Sequence, residues 1–212
     1  MNRLRRILFA PCAALCLTLA LAQCAQARQE RDYKAEAARF LAGHEPQLQQ
    51  ADRPGTRLHL LLNLTPAAMY AGDAGKAGAY AKELMALGER LKSGPGFGPG
   101  LYGDAVHVGN IVLGRLALLG GDVGKAREHL LAAGRVPGSP TLISFGPDMS
   151  LASELIEKGE RDAAVEYLDL CAKFWERQDG RLEGWKGVIR DGGMPNFGAS
   201  LGTKLLSWRF AK

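Results

Sequence analysis

The sequence predicts an all-α protein: a short array of about three helix pairs, with capping helices at its N- and C-terminal ends. Apolar residues recur at helical spacing through most of the chain. Alternating Val, Ile and Tyr runs bounded by turns, the pattern of strands, are missing. A length of 212 residues leaves room for one domain or one short array. With 47% hydrophobic and 23% charged residues, we expect a folded globular chain.

Residues 1–27 have the pattern of a secretory signal peptide. Three arginines precede a largely apolar run of 16 residues, Ile7 to Ala22, and the small residues Ala25 and Ala27 favour cleavage after Ala27. A membrane-spanning helix usually needs about 20 apolar residues, so an uncleaved anchor is the weaker interpretation. We therefore predict a periplasmic or secreted protein.

Cleavage after Ala27 changes both the charge and the cysteine content. The leader holds three of the 27 basic residues and none of the 22 acidic ones, so the formal charge falls from +5 to about +2. This charge, without a clustered Lys/Arg run, argues against nucleic acid as a partner. Cys171 alone remains, and one thiol forms no intrachain disulfide. Lipidation of Cys24 is an alternative, because Leu21 and Cys24 match a lipobox although Gln23 does not.

Residues 28–56 are predicted to form an N-terminal helix and a linker. One face of an amphipathic helix is formed at i, i+4, i+7 and i+8 by Tyr33, Ala37, Phe40 and Leu41. We expect this helix to end before Pro46, because proline removes a helix hydrogen bond. Gln47 to Thr56 is interpreted as the linker, turning at Arg53-Pro54-Gly55.

Residues 57–176 carry an internal repeat. One spacing occurs three times: Gly72-Asp73 then Ala77, Gly121-Asp122 then Ala126, and Gly159-Glu160 then Ala164. Each glycine is predicted to close one helix in the left-handed conformation, and each acidic residue to begin the next helix. Positions four and seven residues beyond each alanine continue one buried stripe: Ala81 and Leu84, Leu130 and Ala133, and Leu168 and Cys171.

These units resemble the tetratricopeptide repeat. In the middle unit, Leu113-Gly114 matches the family's Leu-Gly pair, Ala126 and Ala133 match its two small positions, and Pro137 lies next to its terminal proline position. The first unit departs at Thr65-Pro66, where the proline is expected to kink or restart the helix. The resemblance covers about Leu58 to Glu176. Its spacings of 49 and 38 residues exceed the usual repeat of about 34, so we interpret the units as degenerate repeats with inserted loops, in a tetratricopeptide-like exported bacterial protein.

The resemblance implies a concave surface lined by the first helix of each pair, on which such arrays bind extended peptides or partner helices. We predict a partner-binding groove lined by His59, Leu62, Met69, Tyr70, Val108, Ile111, Arg115, Leu118, Met149 and Ser153. That surface is mostly apolar with one cation. Ordinary packing between helices is the alternative interpretation for each of these residues.

The sequence contains no catalytic motif that we recognise, and it predicts neither a cofactor nor a metal. The four histidines include no pair at i, i+4 and no HExxH: His44, His59, His107 and His129. Cys171 falls on a small buried position, so we expect an inert thiol rather than a nucleophile. The glycine-rich run Gly94 to Gly100 follows no strand, and its prolines remove donors that a phosphate loop needs; we interpret it as an inserted loop.

Residues 177–212 are predicted to form a C-terminal loop and a capping helix. Leu201, Leu205 and Trp208 recur at i, i+4 and i+7 among basic residues, so this helix caps the array or lies on an anionic membrane surface. Trp175 and Trp185 are expected to pack the last helices together. Phe197, in the loop, is a candidate partner contact.

These observations predict a non-enzymatic binding or scaffold module of the bacterial cell envelope, with a protein or peptide partner. Two alternatives stay open. One is a small envelope enzyme or accessory subunit whose site the sequence does not reveal. The other is a membrane-associated lipoprotein.

Overall fold

The computed structural model describes residues 33–93 and 99–201. All regular secondary structure within these ranges is helical. The predicted all-α class is therefore confirmed. The predicted signal peptide, residues 94–98 of the glycine-rich run and the helix expected after Leu201 lie outside the described residues. In the part of the chain that the structure describes, we find no helix long and apolar enough to span a membrane.

Nine helices follow one another in the described ranges. The first, α1, covers residues 33–50. The others are α2 (Pro54–Ala71), α3 (Ala74–Leu91), α4 (Pro99–Leu119), α5 (Val123–Gly134), α6 (Pro140–Phe145), α7 (Ser150–Glu157), α8 (Arg161–Cys171) and α9 (Arg181–Arg190). Helices adjacent in sequence pack as pairs, and α4 contacts α2, α3, α5, α6 and α7, so it lies at the centre of the packing.

The three predicted junctions between helices are confirmed. Gly72, Gly121 and Gly159 have φ angles of +81°, +82° and +89°, the left-handed conformation that closes a helix. Asp73 then caps α3 by accepting a hydrogen bond from the Lys76 amide at 2.9 Å, and Asp122 caps α5 in the same way. Such caps stabilise a helix by about 1 kcal/mol each.

The predicted buried stripe is also confirmed. Its nine members are all 0% exposed: Ala77, Ala81, Leu84, Ala126, Leu130, Ala133, Ala164, Leu168 and Cys171. Gly114 shows how closely the helices approach, because a Cβ there would lie 2.3 Å from Cδ2 of Leu151 on α7. A side chain at position 114 would therefore require the Leu151 side chain to move.

The prediction that the first helix ends before Pro46 is wrong, since α1 continues through it to residue 50. Leu48, in the turn after the proline, is 4% exposed, and its carbonyl accepts a hydrogen bond from Arg57 of α2 at 2.7 Å. Burying a leucine contributes about 2 kcal/mol, which offsets much of the roughly 3 kcal/mol cost of an interior proline. The predicted linker therefore shrinks to residues 51–53, and Pro54 begins α2.

Of the kink or restart expected at Thr65-Pro66, the restart is wrong, because α2 runs unbroken past Pro66. Leu61 and Leu64 before the proline and Ala67 and Ala68 after it are all 0% exposed. Packing on both sides of Pro66 therefore holds one helix together where the proline favours a break.

The end of the glycine-rich run is helical rather than a loop, since α4 begins at Pro99. Gly103 lies inside α4, and a Cβ at this position would be 2.5 Å from the carbonyl oxygen of Pro137. This glycine permits a close approach between α4 and the segment that follows α5.

Buried polar contacts join that segment to α4. Ser139 donates a hydrogen bond to Asp104 at 2.9 Å. The ring of His107 bonds the Ala133 carbonyl through Nδ1 at 3.0 Å and accepts from the Asp148 amide through Nε2 at 3.1 Å. These bonds fix the position of α7, which begins two residues after Asp148, against α4.

Aromatic residues close the C-terminal end, as predicted for Trp175 and Trp185, whose ring centroids lie 5.9 Å apart. The interpretation of Phe197 as a partner contact is wrong. Phe197 is 2% exposed and packs edge-on against Trp185 at 5.0 Å. The segment after α8 also contains α9, which the predicted loop did not include.

Candidate binding pocket between helices

A pocket of about 310 Å³ lies where α2, α4 and α7 meet. We call it the inter-helix pocket and define it by Met69, Arg115, Leu118, Leu119, Glu154, Glu157 and Lys158. Its volume is at the lower end of the roughly 300–1,000 Å³ of ligand pockets. Leu119, in the last turn of α4, is 75% exposed.

An ion pair forms one wall of the pocket. Arg115 of α4 contacts Oε1 of Glu154 on α7 through Nη2 at 2.6 Å and through Nε at 2.8 Å. The guanidinium also lies over the ring of Tyr70, 5.6 Å from its centroid. Helix spacing explains the arrangement: Arg115 and Leu118, three residues apart, lie on the same face of α4.

Burial and neighbouring charges determine the protonation states of Arg115 and Tyr70 in this wall. Burial raises the pKa of Tyr70, while the neighbouring Arg115 acts in the opposite direction. Burial by itself lowers the pKa of Arg115, but the charge of Glu154 and its hydrogen bond outweigh burial, so that pKa is raised. Arg115 therefore stays charged and Tyr70 neutral around pH 7.

The structure brings together part of the groove predicted from sequence. Met69, Arg115 and Leu118 line the inter-helix pocket, and Tyr70 stacks beneath Arg115. Ser153 lies on α7 beside Glu154, where its hydroxyl donates to the sulfur of Met194 at 3.7 Å.

Three predicted groove residues lie in the core instead. Val108 is 3% exposed, and Ile111 and Met149 are 0% exposed. Val108 and Ile111 are covered because α4 packs against five helices, so its apolar positions point into the protein on several sides. A bound partner has no access to these side chains in this structure.

The two remaining predicted residues lie on α2 away from this pocket. Leu62 is half-buried and packs against the core. His59 lines a second pocket of about 220 Å³ between α1 and α2, together with Phe40, His44 and Thr56. There the His44 ring stacks on Phe40 with centroids 4.0 Å apart.

Four lining residues were not anticipated from the sequence: Leu119, Glu154, Glu157 and Lys158. The exposure of Leu119 comes from its position in the last turn of α4, next to Gly120 and Gly121. Glu154 was hidden because its role depends on Arg115, 39 residues away. A search for an acidic partner of the single groove cation would have drawn attention to it.

Other reactive groups lie away from the pocket. Cys171 is fully buried, and burial raises its pKa well above the usual range, so the thiol is inert. Across the described ranges, no group of three His, Cys, Asp or Glu side chains is placed to hold a metal ion.

Comparisons with known proteins do not assign this chain to a family. No protein-family model matches the chain, and comparisons with curated proteins and with solved structures return no match.

Proposed function

We propose that this chain is a non-enzymatic binding or scaffold module of the bacterial cell envelope, and that it holds a protein or peptide partner in the inter-helix pocket. The observation that carries the proposal is the pocket itself, in which Met69, Leu118 and the exposed Leu119 adjoin the Arg115–Glu154 pair. Apolar surface beside a fixed charge pair is the chemistry of an anchor site for a partner side chain.

We propose in addition that the helix pairs have a tetratricopeptide-like arrangement, which fits the same function. In such arrays the first helices of successive pairs share one face, and that face binds peptides or helices. Here α2, α4 and α7 each precede a junction at Gly72, Gly121 or Gly159, and they meet at the pocket. We propose that these three pairs are degenerate repeats.

The envelope location rests on the leader pattern of residues 1–27. Intact mass of the exported protein tests it, because a chain beginning at Arg28 and one beginning at a lipidated Cys24 differ by far more than instrumental error. A chain that keeps its leader would contradict export with cleavage.

The binding proposal is tested by selecting displayed random peptides on the purified protein and then on two variants. Leu119→Asp places a charge among the apolar pocket residues, while Phe145→Asp changes a residue that is comparably exposed, at 67%, and lies on α6, outside the pocket lining. We expect enriched peptides that share an apolar residue and bind the wild type and Phe145→Asp, but not Leu119→Asp. Peptides that bind all three proteins equally, or a selection without enrichment, would overturn the proposal.

A further inference from the structure

The second pocket, between α1 and α2, differs in chemistry from the inter-helix pocket. We call it the α1–α2 pocket. Its lining forms one stripe on each helix, at i, i+4 and i+7 on α1 and at i, i+3, i+4, i+7 and i+8 on α2. These residues are Phe40, His44 and Gln47 on α1, and Thr56, His59, Leu60, Asn63 and Leu64 on α2. At about 220 Å³, below the roughly 300–1,000 Å³ of pockets for drug-sized ligands, it suits a ligand of few atoms.

The charge of this lining depends on two histidines, His44 and His59. Among the described residues that line the pocket, none is a carboxylate, a lysine or an arginine. The other polar side chains, Gln47, Thr56 and Asn63, are uncharged, and each is of a type that donates hydrogen bonds. Donors without a carboxylate favour an anionic ligand once the histidines are charged.

The ring of His44 is held in one orientation. It stacks on Phe40 with centroids 4.0 Å apart, and its Nδ1 lies 2.9 Å from the Phe40 carbonyl oxygen. Because a carbonyl only accepts, Nδ1 carries the hydrogen, and the neutral ring then has a lone pair at Nε2. Protonation converts Nε2 from an acceptor into a charged donor. The neutral His44 ring therefore disfavours an anion, whereas the protonated ring binds one.

Both histidines are accessible to a solute, since His59 is exposed and His44 is half-buried. Every residue three or four positions from either histidine on its own helix is uncharged. No ion pair on these two helix faces therefore competes with a bound anion for the imidazoles.

The charged residues nearest in sequence are engaged with α3 instead. Glu45, next to His44, contacts Lys76 at 2.7 Å and accepts a hydrogen bond from Tyr80 at 3.0 Å. Arg57, two positions before His59, pairs with Glu83. The charge of the α1–α2 pocket is consequently set by its own histidines.

We propose that the α1–α2 pocket binds a small oxyanion, a carboxylate or a tetrahedral anion, when His44 and His59 are protonated. Histidine gains its charge as the pH falls from about 8 to 5, so binding strengthens in acid. The site is separate from the inter-helix pocket, and this inference does not depend on the proposed function.

Titrations with sulfate and with acetate test the site, because neither needs to lose or gain charge near neutral pH to act as an anion. Binding to the full chain is followed by nuclear magnetic resonance through the ring Cε1–H signals of its four histidines, at constant ionic strength. We expect the His44 and His59 signals to shift at pH 5.5, with a Kd at least about tenfold lower than at pH 7.5. A preference for acetate would assign carboxylates as the ligand class, and a preference for sulfate would assign tetrahedral anions.

Matched variants locate the site. His59→Gln removes one charge at an exposed position and should raise the Kd at pH 5.5 about tenfold. His129→Gln is the control, because His129 is half-buried on α5 and bonds to Asn110, outside the α1–α2 pocket. It should bind as wild type does. Far-ultraviolet circular dichroism verifies that both variants are folded.

Several results would overturn the inference. They are an absence of shifts at pH 5.5, an equal Kd at the two pH values, and equal losses in His59→Gln and His129→Gln, which would mean general screening by salt. Another is equal binding of an uncharged sugar, xylose, at both pH values, because neutral hydrogen bonds would then suffice for recognition.

Discussion

Arg115 and Glu154 bind each other across the boundary between two helix pairs, with Nη2 and Nε of the arginine 2.6 and 2.8 Å from one carboxylate oxygen. The two residues lie 39 positions apart and belong to α4 and α7. Their side chains are 17% and 33% exposed, so solvent screens this pair less than a surface pair. The contact therefore both forms a pocket wall and holds two helices in register.

Arg115→Ala is expected to lower the free energy of unfolding by about 1–2 kcal/mol, because it leaves Glu154 without its partner and removes the stack on Tyr70. Urea denaturation measures the change. Arg135→Ala is a matched control, since Arg135 and Glu166 form an ion pair at 3.2 Å with both side chains more than half exposed; its effect should stay below about 0.5 kcal/mol. Equal effects of the two variants would contradict a structural role for the Arg115–Glu154 pair.

Gly146→Ala is expected to destabilise the protein far more than Gly159→Ala. Both glycines have positive φ, +82° and +89°, so alanine is strained at either position, and the ψ of 176° at Gly146 gives a backbone that essentially only glycine adopts. At Gly146 a Cβ would also lie 2.4 Å from the ring of Trp175, whereas at Gly159 nothing described lies within 4 Å. Overpacking should add about 1–3 kcal/mol at Gly146. Thermal unfolding followed by near-ultraviolet circular dichroism compares them, and similar midpoints would refute the close contact.

His107→Ala is expected to cost about 2–4 kcal/mol of stability. The substitution removes the bonds from the imidazole to the Ala133 carbonyl and the Asp148 amide, both in the buried region between α4 and α7. His44→Ala is the comparison, because His44 is half-buried and bonds to Phe40 of its own helix. Chemical denaturation of both variants measures the two losses in the free energy of unfolding. A loss at His107 no larger than that at His44 would mean that the segment joining α5 to α7 is held by other contacts.

The stability of the protein is expected to fall as the pH drops below about 6.5 in a manner that depends on His129. Burial, with a smaller contribution from Lys125, lowers the pKa of His129 below its usual value of 6.5. The unfolded chain then binds a proton more readily than the folded chain, so acid favours unfolding until the pH passes below the lowered pKa. Unfolding free energies of wild type and His129→Gln between pH 7.5 and 5 measure this. Parallel curves would show that His129 does not contribute.

The junctions between helices could be predicted because their signals are local. A left-handed residue at the end of a helix is predicted by the glycine alone, as at Gly72, Gly121 and Gly159. The spacing from each glycine to the following alanine then indicates which face of the next helix is buried. Local signals were wrong at Pro46 and Pro66, where burial of residues on both sides of the proline outweighs its preference to end a helix. The information that decides these positions is tertiary.

The pocket was only partly predictable for a related reason. An apolar residue at helical spacing gives the same pattern whether it faces a groove or a neighbouring helix, so Ile111 and Leu118 look alike in sequence. The structure separates them, since Ile111 is 0% exposed and Leu118 lines the pocket. Glu154 and Lys158 carry no signal of their own, because α7 meets α4 through a segment whose position depends on buried contacts of His107 and Asp104.

The central claim, that the inter-helix pocket holds a partner, is tested most directly by calorimetric titration of one selected peptide into wild type, Leu119→Asp and Phe145→Asp. The account predicts that Leu119→Asp raises the Kd at least about tenfold, equivalent to about 1.4 kcal/mol, while Phe145→Asp leaves it within twofold, about 0.4 kcal/mol. An unchanged Kd for Leu119→Asp, or an equal loss in both variants, would contradict it.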